Sequence, residues 1–145
     1  MIQDDAIPML EPVRLPAHIK ALVVDDDGFQ QALVSDVLHS LQIDDVTVAS
    51  SGASAVTLLN TASPPFNLLV LDLCMPGMDG FQFMDTVAKL GYMGALLIVS
   101  GQKAEVVRAA SMVAQWRCFH FLGALSKPLI KQDLERVIAQ AQAAR

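Results

Sequence analysis

The stretch Leu68-Leu-Val-Leu-Asp72-Leu-Cys-Met-Pro-Gly-Met-Asp-Gly80 decides the fold. Its first four residues are apolar without alternation, which marks a strand covered on both faces, as in a parallel sheet flanked by helices. Asp72 ends that run, so a carboxylate sits where a buried strand reaches water. Pro76-Gly77 and Asp79-Gly80 mark a turn, and the residues from Phe81 to Leu90 have helical apolar spacing. Strand, acid-bearing loop and helix place Asp72 at the carboxyl edge of a sheet, where open α/β folds bind their ligands.

The same pattern recurs on either side. Ile19 to Val24 reads as a first strand that stops at Asp25, Asp26 and Asp27. Three adjacent carboxylates repel one another unless a cation or hydrogen-bond donors offset them; the simpler reading is an acidic loop that caps the next helix. Phe29, Leu33, Val37 and Leu41, four apart, predict an amphipathic helix. Asp45 to Ser50 alternates and is rich in β-branched residues, as a shorter strand near a sheet edge would be. Gly52 to Thr61 reads as a helix ended by Ser63-Pro64-Pro65. Ala95 to Val99 is another continuous apolar run, terminating at Ser100-Gly101. Lys103 to about Gln115 is helical, with Val106, Val107, Ala110 and Val113 as its core stripe. Phe119 to Leu125 is the last strand, followed by Ser126-Lys127-Pro128. Leu129 to Ala144 closes the chain as a helix with Leu129, Leu134, Val137, Ile138 and Ala141 facing in. Five strands alternating with five helices predict an α/β fold with a doubly wound parallel sheet and helices on both faces.

Composition narrows the function. With 145 residues, 53% apolar and 17% charged, the chain is one globular domain, residues 19–145, preceded by a Pro-rich arm, residues 1–18, read as a tail. A net charge of -5 without a basic face argues against direct nucleic-acid binding. No apolar run reaches the roughly 18 residues of a membrane span. Cys74 and Cys118 form neither a disulfide framework nor a zinc pattern, so a cytoplasmic setting is expected. His18, His39 and His120 are not at metal spacing, Trp116 reads as a packing residue, and Met75 and Met78 as a contact surface beside the turn.

With all strands pointing one way, Asp25 and Asp26, Asp72, Ser100 and Lys127 fall along one edge. Paired carboxylates and loop carbonyls make a hard oxygen site suited to Mg²⁺, with Mn²⁺ as a substitute. A hydroxyl and an ammonium opposite it are the groups that hold the oxygens of a transferring phosphoryl group. An aspartate can be the nucleophile and form an acyl phosphate.

These residues resemble the receiver domains of two-component response regulators. The resemblance is carried by Val23-Val-Asp-Asp26, Leu71-Asp-Leu-Cys-Met-Pro-Gly-Met-Asp-Gly80, Val99-Ser100 and Ser126-Lys-Pro128, in order from Lys20 to Gln140. It implies a flavodoxin-like strand order 2-1-3-4-5. It implies that Asp72 accepts a phosphoryl group from a sensor histidine kinase or phosphotransfer protein, without turning over a separate substrate. Asp25 and Asp26 would be the Mg²⁺ pair, with Asp26, Asp72 and the Cys74 backbone carbonyl as ligands. Ser100 and Lys127 would stabilise the phosphoryl group, Ser100 would move as the switch, and the bond before Pro128 would be cis.

Departures set the alternatives. Three residues before the lysine, where receivers carry an aromatic switch, this chain has Ala124; Phe119 or Phe121 could substitute, although core is their simpler role. That absence keeps open a receiver-like module that signals without phosphate. A Mg²⁺-dependent phosphatase with an aspartyl-phosphate intermediate would carry a second acid where Cys74 stands. The segment Gly123 to Leu129 resembles receivers that precede EAL-type cyclic-di-GMP phosphodiesterase domains, and dimerisation through the fourth and last helices is a further implication of the resemblance.

Overall fold

The computed structural model describes residues 15–75, 77–117 and 119–143. Among the described residues seven strands and five helices follow in the order β1 (Lys20–Val24), α1 (Gly28–Ser40), β2 (Asp45–Ala49), α2 (Gly52–Thr61), β3 (Leu68–Asp72), β4 (Cys74–Met75), β5 (Met78–Asp79), α3 (Gly80–Lys89), β6 (Ala95–Ser100), α4 (Ala104–Trp116), β7 (His120–Ser126) and α5 (Lys131–Ala143). The main sheet has the order β2-β1-β3-β6-β7 and every pairing in it is parallel. Without the two-residue strands β4 and β5, this is the expected order 2-1-3-4-5. Those two pair antiparallel inside the turn after Asp72, a ribbon too short to leave a sequence signal.

Alternate residues of each central strand enter opposite layers, which is why the strands are apolar throughout. On one side Val23, Val70 and Leu97 pack with Val37, Leu38, Leu134 and Ile138 of α1 and α5. On the other Leu22, Leu71 and Ile98 pack with Phe83, Met84, Ala110 and Ala114 of α3 and α4. Local chemistry starts the helices: Asp79 forms a capping box with Gln82, and Ser51 accepts from the Ser54 N–H.

Several side chains depart from their expected positions. Phe29 is 74% exposed, because the stripe of α1 runs through Val34, Val37 and Leu38 and a strict spacing of four drifts off it. Trp116, read as a packing residue, is 83% exposed on the last turn of α4. Met75, expected at the surface, is buried against the α3 layer by the β4–β5 ribbon. Leu15, assigned to the arm, is buried, and its N–H donates to the Ala141 carbonyl at 3.2 Å. The rest of the arm, residues 1–14, lies outside the described residues, as does Cys118.

In β7 the register steps by one residue: Leu96 pairs with Phe121 but Leu97 with Gly123. The extra residue is a bulge, and Gly123 carries the positive φ of 145° that it requires. The bulge turns Ala124 onto the same layer as Phe121. Phe119 is buried in that layer and stacks obliquely on Tyr92, with ring centroids 6.0 Å apart. Phe121 sits opposite Leu96, four residues back from Ser100, so neither aromatic takes the place of Ala124.

Candidate functional site

Parallel register assembles the site. Val24 is level with Leu71, Asp72 with Val99, and Ser100 with Ser126, so the carboxyl ends of β1, β3, β6 and β7 open onto one edge. Gly80 lets the turn after Asp72 close: its N–H donates to the Leu73 carbonyl at 2.8 Å, and a Cβ there would meet Leu73 Cδ2 at 2.6 Å and its Cα at 2.9 Å.

The acidic triplet divides its labour. Asp27 is the helix cap, accepting from the Phe29 N–H at 2.9 Å. Asp25 is buried, and its Oδ1 accepts from the Asp27 N–H at 2.9 Å. Asp26 is exposed at the mouth. Carboxylate oxygens of Asp25, Asp26 and Asp72 all lie within 4.8 Å of one another, with Asp72 as buried as Asp25. The cap and the acids gathered at the strand end are therefore different residues of the triplet.

One cation meets the two buried acids. Lys127 Nζ stands 3.2 Å from Asp25 Oδ2 and 3.5 Å from Asp72 Oδ2. Burial, and then the charge of Asp25, holds the Asp72 carboxyl above its ordinary pKa; the Cys74 N–H, 3.3 Å from Oδ1, and Lys127 act against that rise. Burial also works to lower the Lys127 pKa, but the bonds and charges of Asp25 and Asp72 outweigh it, and the ammonium sits above its usual value. Ser100 is buried beside them; its Oγ accepts from the Gln102 N–H at 3.0 Å, and its carbonyl from the Lys127 N–H at 2.9 Å. The Lys127–Pro128 bond is cis, as the resemblance implies.

All the residues singled out along this edge come together: Asp25, Asp26, Asp72, Cys74, Ser100 and Lys127. The donor set fits a hard divalent cation, since three carboxylates converge and burial plus mutual repulsion raises the pKa of Asp72, which an added cation would offset. Sequence reading does not single out Gln31, whose Nε2 donates to the Asp25 carbonyl at 2.6 Å and to Ser50 Oγ at 3.1 Å. A glutamine in a first helical turn looks solvated in a sequence; only the fold shows that this turn leans back over the preceding loop.

Comparison with known proteins agrees with the geometry. The family model described as the response regulator receiver domain matches residues 21–139. A protein-glutamate methylesterase/protein-glutamine glutaminase of Natronomonas pharaonis is 42% identical over 64 residues, 44% of this chain and 18% of that protein. A probable chemotaxis protein CheY of Rhizobium etli is 29% identical over 126 residues, 83% of this chain and 89% of the relative. The receiver domain of the Francisella response regulator 1452 superposes with a TM-score of 0.69 at 25% identity, covering 88% of this chain and 99% of that one. The chain thus spans under a fifth of the length of the methylesterase it matches.

Proposed function

The chain belongs to the response regulator receiver domain family, and from that membership we propose that Asp72 is the phosphoacceptor of a two-component signalling pathway. The observation that carries the reading is a buried carboxylate at the sheet edge, with Asp25 and Asp26 beside it and Lys127 Nζ 3.5 Å away.

In the proposed reaction an Asp72 carboxylate oxygen attacks the phosphorus of a phosphohistidine on a histidine kinase or phosphotransfer protein. The new O–P bond forms as the N–P bond breaks; the electron pair stays on that ring nitrogen, and the imidazole, protonated on its other nitrogen, leaves neutral. Lys127 offers its ammonium, and Ser100 its hydroxyl, to the phosphoryl oxygens that carry the developing charge. Asp25, Asp26, Asp72 and the Cys74 backbone carbonyl would hold Mg²⁺, or Mn²⁺, which when bound offsets the negative charge of the acids and the phosphoryl group. Lys127 already bridges the two buried acids, so the site stays intact before any cation arrives. Phosphorylation then shifts an existing equilibrium between two conformations. With Ala124 at the aromatic position, Ser100 moves without that partner.

The domain turns over no separate substrate in this reading and works in the cytoplasm; no helix among the described residues is long and apolar enough to cross a membrane. The output is proposed to be a partner or a further domain, with an EAL-type phosphodiesterase as one candidate. Pairing of two copies through α4 and α5 is checked by light scattering with and without beryllofluoride.

The test is intact mass after incubation with Mg²⁺ and acetyl phosphate, wild type against Asp72→Asn. A hydroxylamine-labile gain of one phosphoryl group that needs Mg²⁺ and is absent from the variant is expected. A gain that survives in Asp72→Asn places the acceptor elsewhere. If the wild type gains nothing from acetyl phosphate, from a phosphohistidine donor or from beryllofluoride, the module works without phosphate.

A further inference from the structure

We infer that Gln31 is a positioning residue for the acidic pair, its side-chain amide fixing the Asp25–Asp26 peptide and so setting where the Asp26 carboxylate stands toward a divalent cation. The inference rests on the reading of Asp25, Asp26 and Asp72 as a cation site.

Asp25 is held at every polar atom. Its N–H donates to the Ala49 carbonyl at 3.1 Å, its Oδ1 accepts from the Asp27 N–H, and its Oδ2 faces Lys127. Its carbonyl takes the Gln31 Nε2–H at 2.6 Å, shorter than the other two hydrogen bonds. Because the peptide unit is planar, fixing the Asp25 carbonyl also fixes the plane that carries the Asp26 nitrogen and Cα. Asp26 itself is exposed, so the peptide behind it is what aims its carboxylate. Gln31 is in turn steadied by Ser50 Oγ at 3.1 Å, which ties the start of α1 to the connection between β2 and α2.

The chemistry of the residue suits this task. A lysine or arginine here would add positive charge beside a cation site, as Lys127 already does. A glutamine donates a strong hydrogen bond to a carbonyl and brings no net charge. It orders the acids without competing for them.

The test is calorimetric titration of Mg²⁺ into the unphosphorylated protein, comparing wild type, Gln31→Met and Asp26→Asn, with thermal melts of each in the absence of Mg²⁺. Gln31→Met keeps the side-chain length and removes the donor, and Mg²⁺ binding is expected to weaken about five- to tenfold, while Asp26→Asn loses most of it. A Gln31→Met protein with wild-type Mg²⁺ affinity overturns the inference, including one that only melts earlier, since that is a purely structural role. Wild type and Asp26→Asn binding Mg²⁺ alike would overturn the cation-site reading itself. Nuclear magnetic resonance of the wild type gives a readout that needs no variant to fold. The Gln31 side-chain amide protons should exchange slowly and shift on Mg²⁺ addition; free-glutamine exchange with no shift overturns the inference.

Discussion

The Lys127 ammonium stands 3.5 Å from the Asp72 carboxylate, although their strands β7 and β3 are not neighbours. The lysine side chain crosses the end of β6, where its own N–H is anchored on the Ser100 carbonyl at 2.9 Å. Three strands thereby meet at one ion pair, and the consequences can be measured.

Asp72→Asn is expected to stabilise the unphosphorylated protein at neutral pH. Burial first, and the charge of Asp25 second, raises the Asp72 pKa above the ordinary 3.8. A carboxyl raised in the folded state contributes stability fully below its unfolded pKa, and that contribution is lost as pH rises through the folded value. At pH 7 the charged group is therefore carried at a cost. Thermal melts without divalent cations should place the variant about 2–4 °C above wild type, the gap closing toward about pH 4. A variant that melts lower at pH 7 contradicts this account.

Lys127→Met is expected to act in the opposite direction. It leaves Asp25 and Asp72 facing one another, both 5% exposed, with no cation between them. The cost should be about 2 kcal/mol, below that of breaking a fully buried pair because Lys127 keeps some contact with water. Added Mg²⁺ should recover much of the loss. Equal deficits with and without Mg²⁺ would show that lysine and metal do not serve the same acids. Since the Lys127 pKa is raised above 10.5, its contribution is present throughout the neutral range and is lost only as pH climbs through the folded value.

Gly80→Ala is expected to disturb the site through the backbone. The added Cβ would lie 2.9 Å from the Leu73 Cα, so the segment after Asp72 has to shift. A loss of about 1–3 kcal/mol in urea unfolding is expected, together with slower phosphoryl uptake at Asp72. Full stability with normal uptake would mean that the turn has slack.

Asp79→Ala removes one half of the α3 capping box, the acceptor 2.8 Å from the Gln82 N–H. Denaturant unfolding should register about 1 kcal/mol, with phosphoryl uptake little changed because Asp79 is exposed on the turn rather than at the acids. A large loss of uptake would place Asp79 in the site.

Much of this molecule is readable from its apolar runs. Leu68 to Leu71 and Ala95 to Val99 lack alternation because both faces of their strands are covered, and that one property predicts the layers, the parallel sheet and the edge at which Asp72, Ser100 and Lys127 appear. Phe29, Trp116 and Met75 were less legible for a common reason: hydrophobicity states a preference for burial, whereas the rotation of a helix and the closing of a turn decide whether it is met. Gln31 is the converse case, a polar residue with no pattern around it that acquires two partners from loops distant along the chain.

By itself the sequence determined the alternation of five strands with five helices, the strand ends that carry acids, hydroxyl and lysine, and an acidic triplet able to cap α1. Local preferences and periodicity suffice for these, because each depends on residues within one element. Only the tertiary structure decided that Asp27 caps while Asp25 is buried, that a bulge at Gly123 sets Ala124 on the α4 layer, and that Lys127 reaches across β6 to two acids at once. Those outcomes depend on register between strands, and register is fixed by packing of the whole sheet rather than by any one stretch of chain.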